Sequence, residues 1–195
     1  MTRHSQTMPP DYFDNRYAED PDPWQFATSE YEAAKYAATL EALPKPRYAS
    51  ALEIGCSIGV FTKALAARCD ALIGVDTAEK ALQQARERCR EAPHVSFQRL
   101  HAPGQWPAGR FDLILISEVL YFFDAADMPR LAERILGTLD TGGTIALVHW
   151  TGPTHYPQTG DAASDQLIDI LDSSIHVTHR HRTDRYRLDV LTRIS

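Results

Sequence analysis

"ALEIGCSIGVFTKAL", residues 51–65, sets a short apolar run, a turn holding two glycines and a stretch of helical periodicity end to end. Ser50–Ile54 reads as a buried strand and Val60–Cys69 as a helix. A strand that feeds a helix through such a turn is the opening unit of an α/β sheet, where ligands bind beyond the carboxyl ends of the strands, at the point where strand order reverses. Gly55 and Gly59 would let the chain turn tightly and let a ligand lie against bare main chain. The dinucleotide pattern G-x-G-x-x-G is not met, because Ser57 stands at its second glycine and Gly59 comes one residue early. Asp76 closes the next apolar run, where a carboxylate accepts hydrogen bonds from ribose hydroxyls. A nucleoside without a pyrophosphate fits both features better than a dinucleotide does.

Working outward, short apolar runs alternate with helical periodicity along the chain. Strands are expected at Ser50–Ile54, Ala71–Asp76, Val95–Leu100, Phe111–Ser117 and Thr144–Trp150, with helices at Val60–Cys69, Ala78–Ala92 and Met128–Leu139. Pro129 is tolerated in a first helical turn, and Gly142 and Gly143 end that unit. Ser29 and Glu32 form a capping box for a first helix from Glu30 to Leu43, stopped by "PKP". After the loop that follows Trp150, Ser164–Ser174 reads as an amphipathic helix. Ile175–Arg182 and Arg185–Arg193 alternate like antiparallel strands joined at Thr183-Asp184. The reading is a doubly wound, seven-stranded, mostly parallel α/β sheet with an antiparallel edge, its five early strands central and its last two peripheral.

The 195 residues suit one domain, and the apolar and charged fractions of 44% and 24% are those of a self-sufficient globular chain. Residues 20–195 form that domain, with residues 1–19 a flexible N-terminal segment. Yet the stretch from Asp11 to Glu32 is too aromatic for a mere tail, and something packs on it. A net charge of -6 argues against nucleic acid as the main partner, and "HRHRTDRYR" (179–187) reads as a solvated sheet edge. Cys56, Cys69 and Cys89 form no paired framework, which fits reduced thiols in the cytoplasm. "MTRHSQTMPP" lacks the apolar core of a signal peptide, and "DLILISEVLYFF" is too short and too charged to span a membrane. His176, His179 and His181 have no metal-ligand spacing, so no metal is expected. The oligomeric state is not readable.

"LEIGCSIG" and "GVD" resemble the first two motifs of class I S-adenosylmethionine-dependent methyltransferases, with Glu53 as the acidic residue of the first. "DPWQF" and "YEAAKYAATL" within Asp22–Leu40, "LEIGCSIGVFT", "RERC", "FDLILISEVLYFF" and "YRLDVL" together resemble the NodS-type methyltransferases, which N-methylate a deacetylated chitooligosaccharide. The likeness is dense up to about residue 125 and sparse after Trp150. It implies S-adenosylmethionine as cofactor, with Gly55, Cys56 and Gly59 at its methionine end and Asp76, beside Thr77, at its ribose. The family often has Asp at the end of the third strand for the adenine amine. Here His101 stands there, so the contact falls to His101 or to the backbone of Ala102. Lys35 is placed to pair with the methionine carboxylate or lies on a solvated helix face. Trp24 and Tyr31 would form a lid over the cofactor, or a packed staple.

Ser117 and Glu118 end the fourth strand beside the glycine turn, where packing explains a carboxylate poorly. Tyr121, with Phe122 and Phe123, would line the next turn, where a sugar ring can stack. His149 and Trp150 close the fifth strand and would face the same crevice, His149 as proton acceptor or as a merely hydrogen-bonded histidine. Glu118 and His149 are thus the candidate catalytic groups, and Tyr121 and Trp150 the candidate contacts to a small-molecule acceptor such as an amino sugar. An O-methyltransferase, a non-catalytic cofactor-binding subunit and a nicotinamide oxidoreductase remain as alternatives. The last lacks the second glycine and a Tyr-x-x-x-Lys pair.

Overall fold

A computed structural model describes residues 3–195. Among them the chain runs α1 (Pro10–Glu19), α2 (Glu30–Ala42), β1 (Ala51–Ile54), α3 (Val60–Ala66), β2 (Leu72–Asp76), α4 (Glu79–Arg88), β3 (Val95–Arg99) and β4 (Phe111–Ser117). A 3-10 turn (Leu120–Phe122), α5 (Asp127–Thr138), β5 (Leu139–Trp150), α6 (Gly160–Leu171), β6 (Ile175–Arg182) and β7 (Tyr186–Arg193) complete it. The seven strands form one sheet in the order β3-β2-β1-β4-β5-β7-β6. β7 alone is reversed relative to the other six strands.

The solid apolar runs arise because both faces of the central sheet are covered. Along β4, Leu113 and Leu115 face Tyr36 of α2 and Phe61 and Leu65 of α3, while Ile114 and Ile116 join the core of α5 and α6. Ala146 of β5 follows the first pair, and Ile145 and Leu147 follow the second. β1 lies between β2 and β4, so the turn after it opens at the reversal of strand order.

Four expectations are corrected. β5 begins at Leu139, before the glycines, because Phe111 pairs with Leu139 and Leu113 with Thr144, so residues 140–143, with Gly142 at φ 73°, bulge out of the ladder. β7 is not peripheral: it lies between β5 and β6 and is buried along most of its length, whereas β3 and β6 hold the edges. The capping box is half formed, since Ser29 accepts the Glu32 N–H at 3.3 Å while the Glu32 carboxylate turns to Lys35. Finally, residues 10–19 are a helix rather than a flexible segment, with Pro10 at its start, Tyr17 buried and Asp14 paired with Arg99 at 2.9 Å. Ahead of it, Met8 is buried and its N–H bonds to the Phe122 carbonyl. Residues 1 and 2 of that segment lie outside the described residues. No helix among the described residues is long and apolar enough to cross a membrane.

Candidate active site

A cavity of about 500 Å³ opens at the carboxyl edge of the sheet, within the size range of small-molecule sites. It extends from Asp76 and His101, past the ends of β2 and β3, to Trp150 and Arg185, at the end of β5 and the start of β7. At roughly 4.8 Å per strand, β2 and β7 stand about 19 Å apart, so the cavity has two ends with different linings. Gln25, Ser57 and Glu118, the three non-glycine residues with positive φ among the described residues, all line it. Such backbone persists only where the surroundings enforce it, and it gathers at functional sites.

At the β2 end, Asp76 accepts the Ser57 N–H through Oδ2 and the Ala78 N–H through Oδ1, both at 2.9 Å. Burial pushes its carboxyl above the ordinary range despite these bonds. Thr77, His101 and Ala102 line the same end. The His101 Nδ1 is buried without a partner, and burial lowers the imidazole below its usual pKa. Trp24 also lines the cavity and packs edge-on to Tyr17 of α1, whose hydroxyl bonds to the Ser57 hydroxyl. Trp24 therefore lines this end together with α1.

The glycine turn holds a correction. A Cβ at Gly55 would meet Val119 Cγ2 at 2.2 Å, and one at Gly59 would meet the Ala85 Cα of α4 at 2.8 Å. Both have φ near +77°, so turn geometry and packing against protein suffice to exclude a side chain. Gly55 still lines the cavity, whereas Gly59 caps α3 away from it. Glu53 and Cys56 are buried beneath the turn and border a small side pocket with Ser117. Burial, reinforced by Asp76, pushes the Glu53 carboxyl up to about 8.

In the middle of the cavity, Glu118 is fully engaged. Its Oε1 is paired with the buried Lys35, and its Oε2 accepts the Tyr121 hydroxyl at 2.8 Å and the Trp150 N–H at 2.9 Å. Burial, the largest single influence, would raise its pKa, but the surrounding charges, Lys35 first among them, together with the hydrogen bonds from Lys35 and the Trp150 N–H, hold it below the ordinary carboxylate range. Lys35 in turn bridges to Glu32 at 2.9 Å. It lies beneath the lining, 1% exposed, and is committed to two carboxylates, which corrects its assignment to a methionine carboxylate. His149 is corrected as well. It is fully buried outside the lining, and its Nε2 accepts the Leu120 N–H at 3.2 Å. Burial pushes the imidazole down to about 4, so the ring is neutral and structural.

The β5–β7 end is aromatic. Tyr121 stacks on Tyr156 at 5.5 Å, Phe122 meets the same ring edge-on at 4.5 Å, and Tyr12 reaches the Tyr156 hydroxyl at 3.0 Å. Tyr31 is here rather than over the β2 end, edge-on to Trp150 at 6.0 Å with the Arg185 guanidinium 3.6 Å from its ring centre. Sequence reasoning missed Tyr156, Arg185, Tyr17 and Ser57. The i, i+4 pair Phe13 and Tyr17 was a readable sign of a helix face. Tyr156 and Arg185 sit in a loop and a turn, where periodicity is silent.

A sheet of this order with β7 reversed, a carboxyl-edge cavity at the β1 turn and an acidic residue at the end of β2 define the class: the class I S-adenosylmethionine-dependent methyltransferase fold. Within it, the profile of the nodulation protein S (NodS) family matches residues 11–149, and the chain belongs to that family. It is 33% identical over 126 residues to nodulation protein S of Bradyrhizobium diazoefficiens, a match covering 64% of this chain and 60% of that relative. A crystal structure from Pseudomonas syringae, designated a methyltransferase, is 39% identical with a TM-score of 0.73, covering 85% of this chain and all of that one. The fold also matches the N-methyltransferase NodS of Bradyrhizobium japonicum in complex with S-adenosylhomocysteine, at TM-score 0.80 and 22% identity over 95% of this chain and 99% of that one.

Proposed function

We propose that the protein is an S-adenosylmethionine-dependent N-methyltransferase acting on a free amine of a small molecule, such as a deacetylated amino sugar. The observation that carries this reading is the division of one cavity into a β2 end lined by Asp76, Thr77 and the unpartnered His101 Nδ1 and an aromatic β5–β7 end, joined at Glu118. The residues fit the cofactor: Asp76 would hold the ribose, the unpartnered His101 Nδ1 and the Ala102 backbone the adenine, and the Gly55–Ser57 turn the methionine. When bound, that cofactor supplies a methyl group on a sulfonium, with a neutral thioether as leaving group.

The chain's own part is to hold the amine in line and exclude water. Tyr121, its proton committed to Glu118, offers oxygen lone pairs to an amine N–H, and the rings of Tyr156 and Trp150 can stack against the C–H face of a sugar. Neither carboxylate at this end is poised as a base. Glu118 is saturated and held ionised by Lys35, and Glu32 is tied to the same ammonium. His149 is sequestered. The amine must therefore arrive neutral, and the product's extra proton leaves to solvent. Turnover of glucosamine, followed by mass spectrometry for a one-methyl gain, should rise with pH up to the amine's own pKa. N-acetylglucosamine should be inert because its lone pair is delocalised. Methylation of phenols in preference to amines, or of the acetylated sugar, would contradict the proposal.

A further inference from the structure

Arg185 is the one Arg or Lys lining the cavity among the described residues, and it has no carboxylate within salt-bridge distance there. The nearby arginines of β6 and β7 are paired: Arg180 with Asp189, Arg182 with Asp161, and Arg187 with Asp165 and Asp189. The other charged residues on the lining are also accounted for, Glu32 and Glu118 by Lys35 and Asp76 by two backbone N–H groups.

Arg185 is exposed at the cavity mouth, and its backbone is held in place. The Arg185 N–H bonds to the Thr183 hydroxyl at 3.1 Å and its carbonyl accepts the Thr151 N–H at 2.9 Å, which fixes the backbone of the turn. The side chain lies 3.6 Å from the centre of the Tyr31 ring and 5.6 Å from that of Trp150. A second, independent observation lies beside it. The Tyr31 hydroxyl, on a residue that also lines the cavity, is buried with no hydrogen-bond partner. Burial and the nearby Glu118 keep that phenol protonated, so it is a donor without an acceptor. A stacked, unpaired guanidinium beside an unused O–H donor is an arrangement that recognises an oxyanion.

We infer that Arg185 and Tyr31 form an anion subsite, and that the acceptor is an amine carrying a carboxylate, phosphate or sulfate group. This rests on the amine reading of the same cavity. The Tyr31 ring, with Arg185 at 3.6 Å and Lys35 Nζ at 5.1 Å from its centre, spans from the anion subsite to the Lys35–Glu118 pair. One small molecule can therefore place its anion at Arg185 and its amine beside Tyr121.

The test compares kcat/KM for glucosamine, glucosamine 6-phosphate and 2-amino-2-deoxyglucuronate, with S-adenosylhomocysteine binding as a check on each protein. At least one anionic amine should exceed glucosamine by about tenfold or more, the scale of one charge-assisted hydrogen bond, and the stronger of the two identifies the anion. In Arg185→Gln the anionic-to-neutral ratio should fall toward one, in Arg185→Lys it should lie between, and Tyr31→Phe should lower it. Equal use of neutral and anionic amines by the wild type, or an unchanged ratio in Arg185→Gln, would overturn the subsite and leave the methyltransferase reading intact. Binding of S-adenosylhomocysteine with no methylation of any amine would overturn both.

Discussion

Gly59 illustrates what a residue type discloses and what it conceals. A glycine after a strand marks a turn, but whether a ligand or a helix fills the space opposite depends on a residue twenty-six positions further on, Ala85. Valine at 59 would have to adopt φ 77° and displace the Ala85 backbone. Gly59→Val should therefore destabilise the fold by about 2–5 kcal/mol, from left-handed strain and overpacking together, measured by denaturant unfolding. A folded variant of wild-type stability that had lost only ligand binding would return Gly59 to the ligand. Asp76 and Glu118 were legible because a carboxylate at the end of an apolar strand has no packing role. Lys35 and His149 were left with two readings each because their partners, Glu118 and the Leu120 N–H, come together only through the β4–β5 pairing and the packing of α2.

At the level of elements, β1, β2, β4 and the second half of β5 declared themselves because helices cover both their faces. β7 did not, for a specific reason. Its polar positions, Arg187 and Asp189, are buried and bonded to each other at 2.6 Å, so a buried strand mimics the alternation of an exposed one. The first helix was hidden differently, by a polar sequence whose aromatic residues, Phe13 and Tyr17, share one face only once the helix exists. That face reaches the cofactor turn through the Tyr17–Ser57 bond, at a residue held at φ 50°. Tyr17→Phe should weaken S-adenosylhomocysteine binding about fivefold, the worth of one hydrogen bond of about 1 kcal/mol, while thermal unfolding hardly moves. If affinity stays unchanged, α1 is a cover that takes no part in shaping the turn.

Across the whole molecule, the strand order places every part of the cavity. Three strands, β3, β2 and β1, bring His101, Asp76 and Gly55 to one end, and β4, β5 and β7 bring Glu118, Trp150 and Arg185 to the other. The sequence motifs cluster at the first end, which made it the more legible; at the other end Glu118, Tyr121 and Trp150 stood out in the sequence and the residues around them did not. Tyr31, Tyr156 and Arg185 come from a helix, a loop and a turn that only the finished sheet brings together. The central claim is that the β2 end holds S-adenosylmethionine through Asp76, and titration calorimetry with S-adenosylhomocysteine tests it most directly. The wild-type protein should bind it and ignore NAD, and Asp76→Ala should weaken binding by roughly 1.5–3 kcal/mol, or about 10- to 150-fold. Absence of binding, a preference for NAD, or equal affinity in Asp76→Ala would contradict the account.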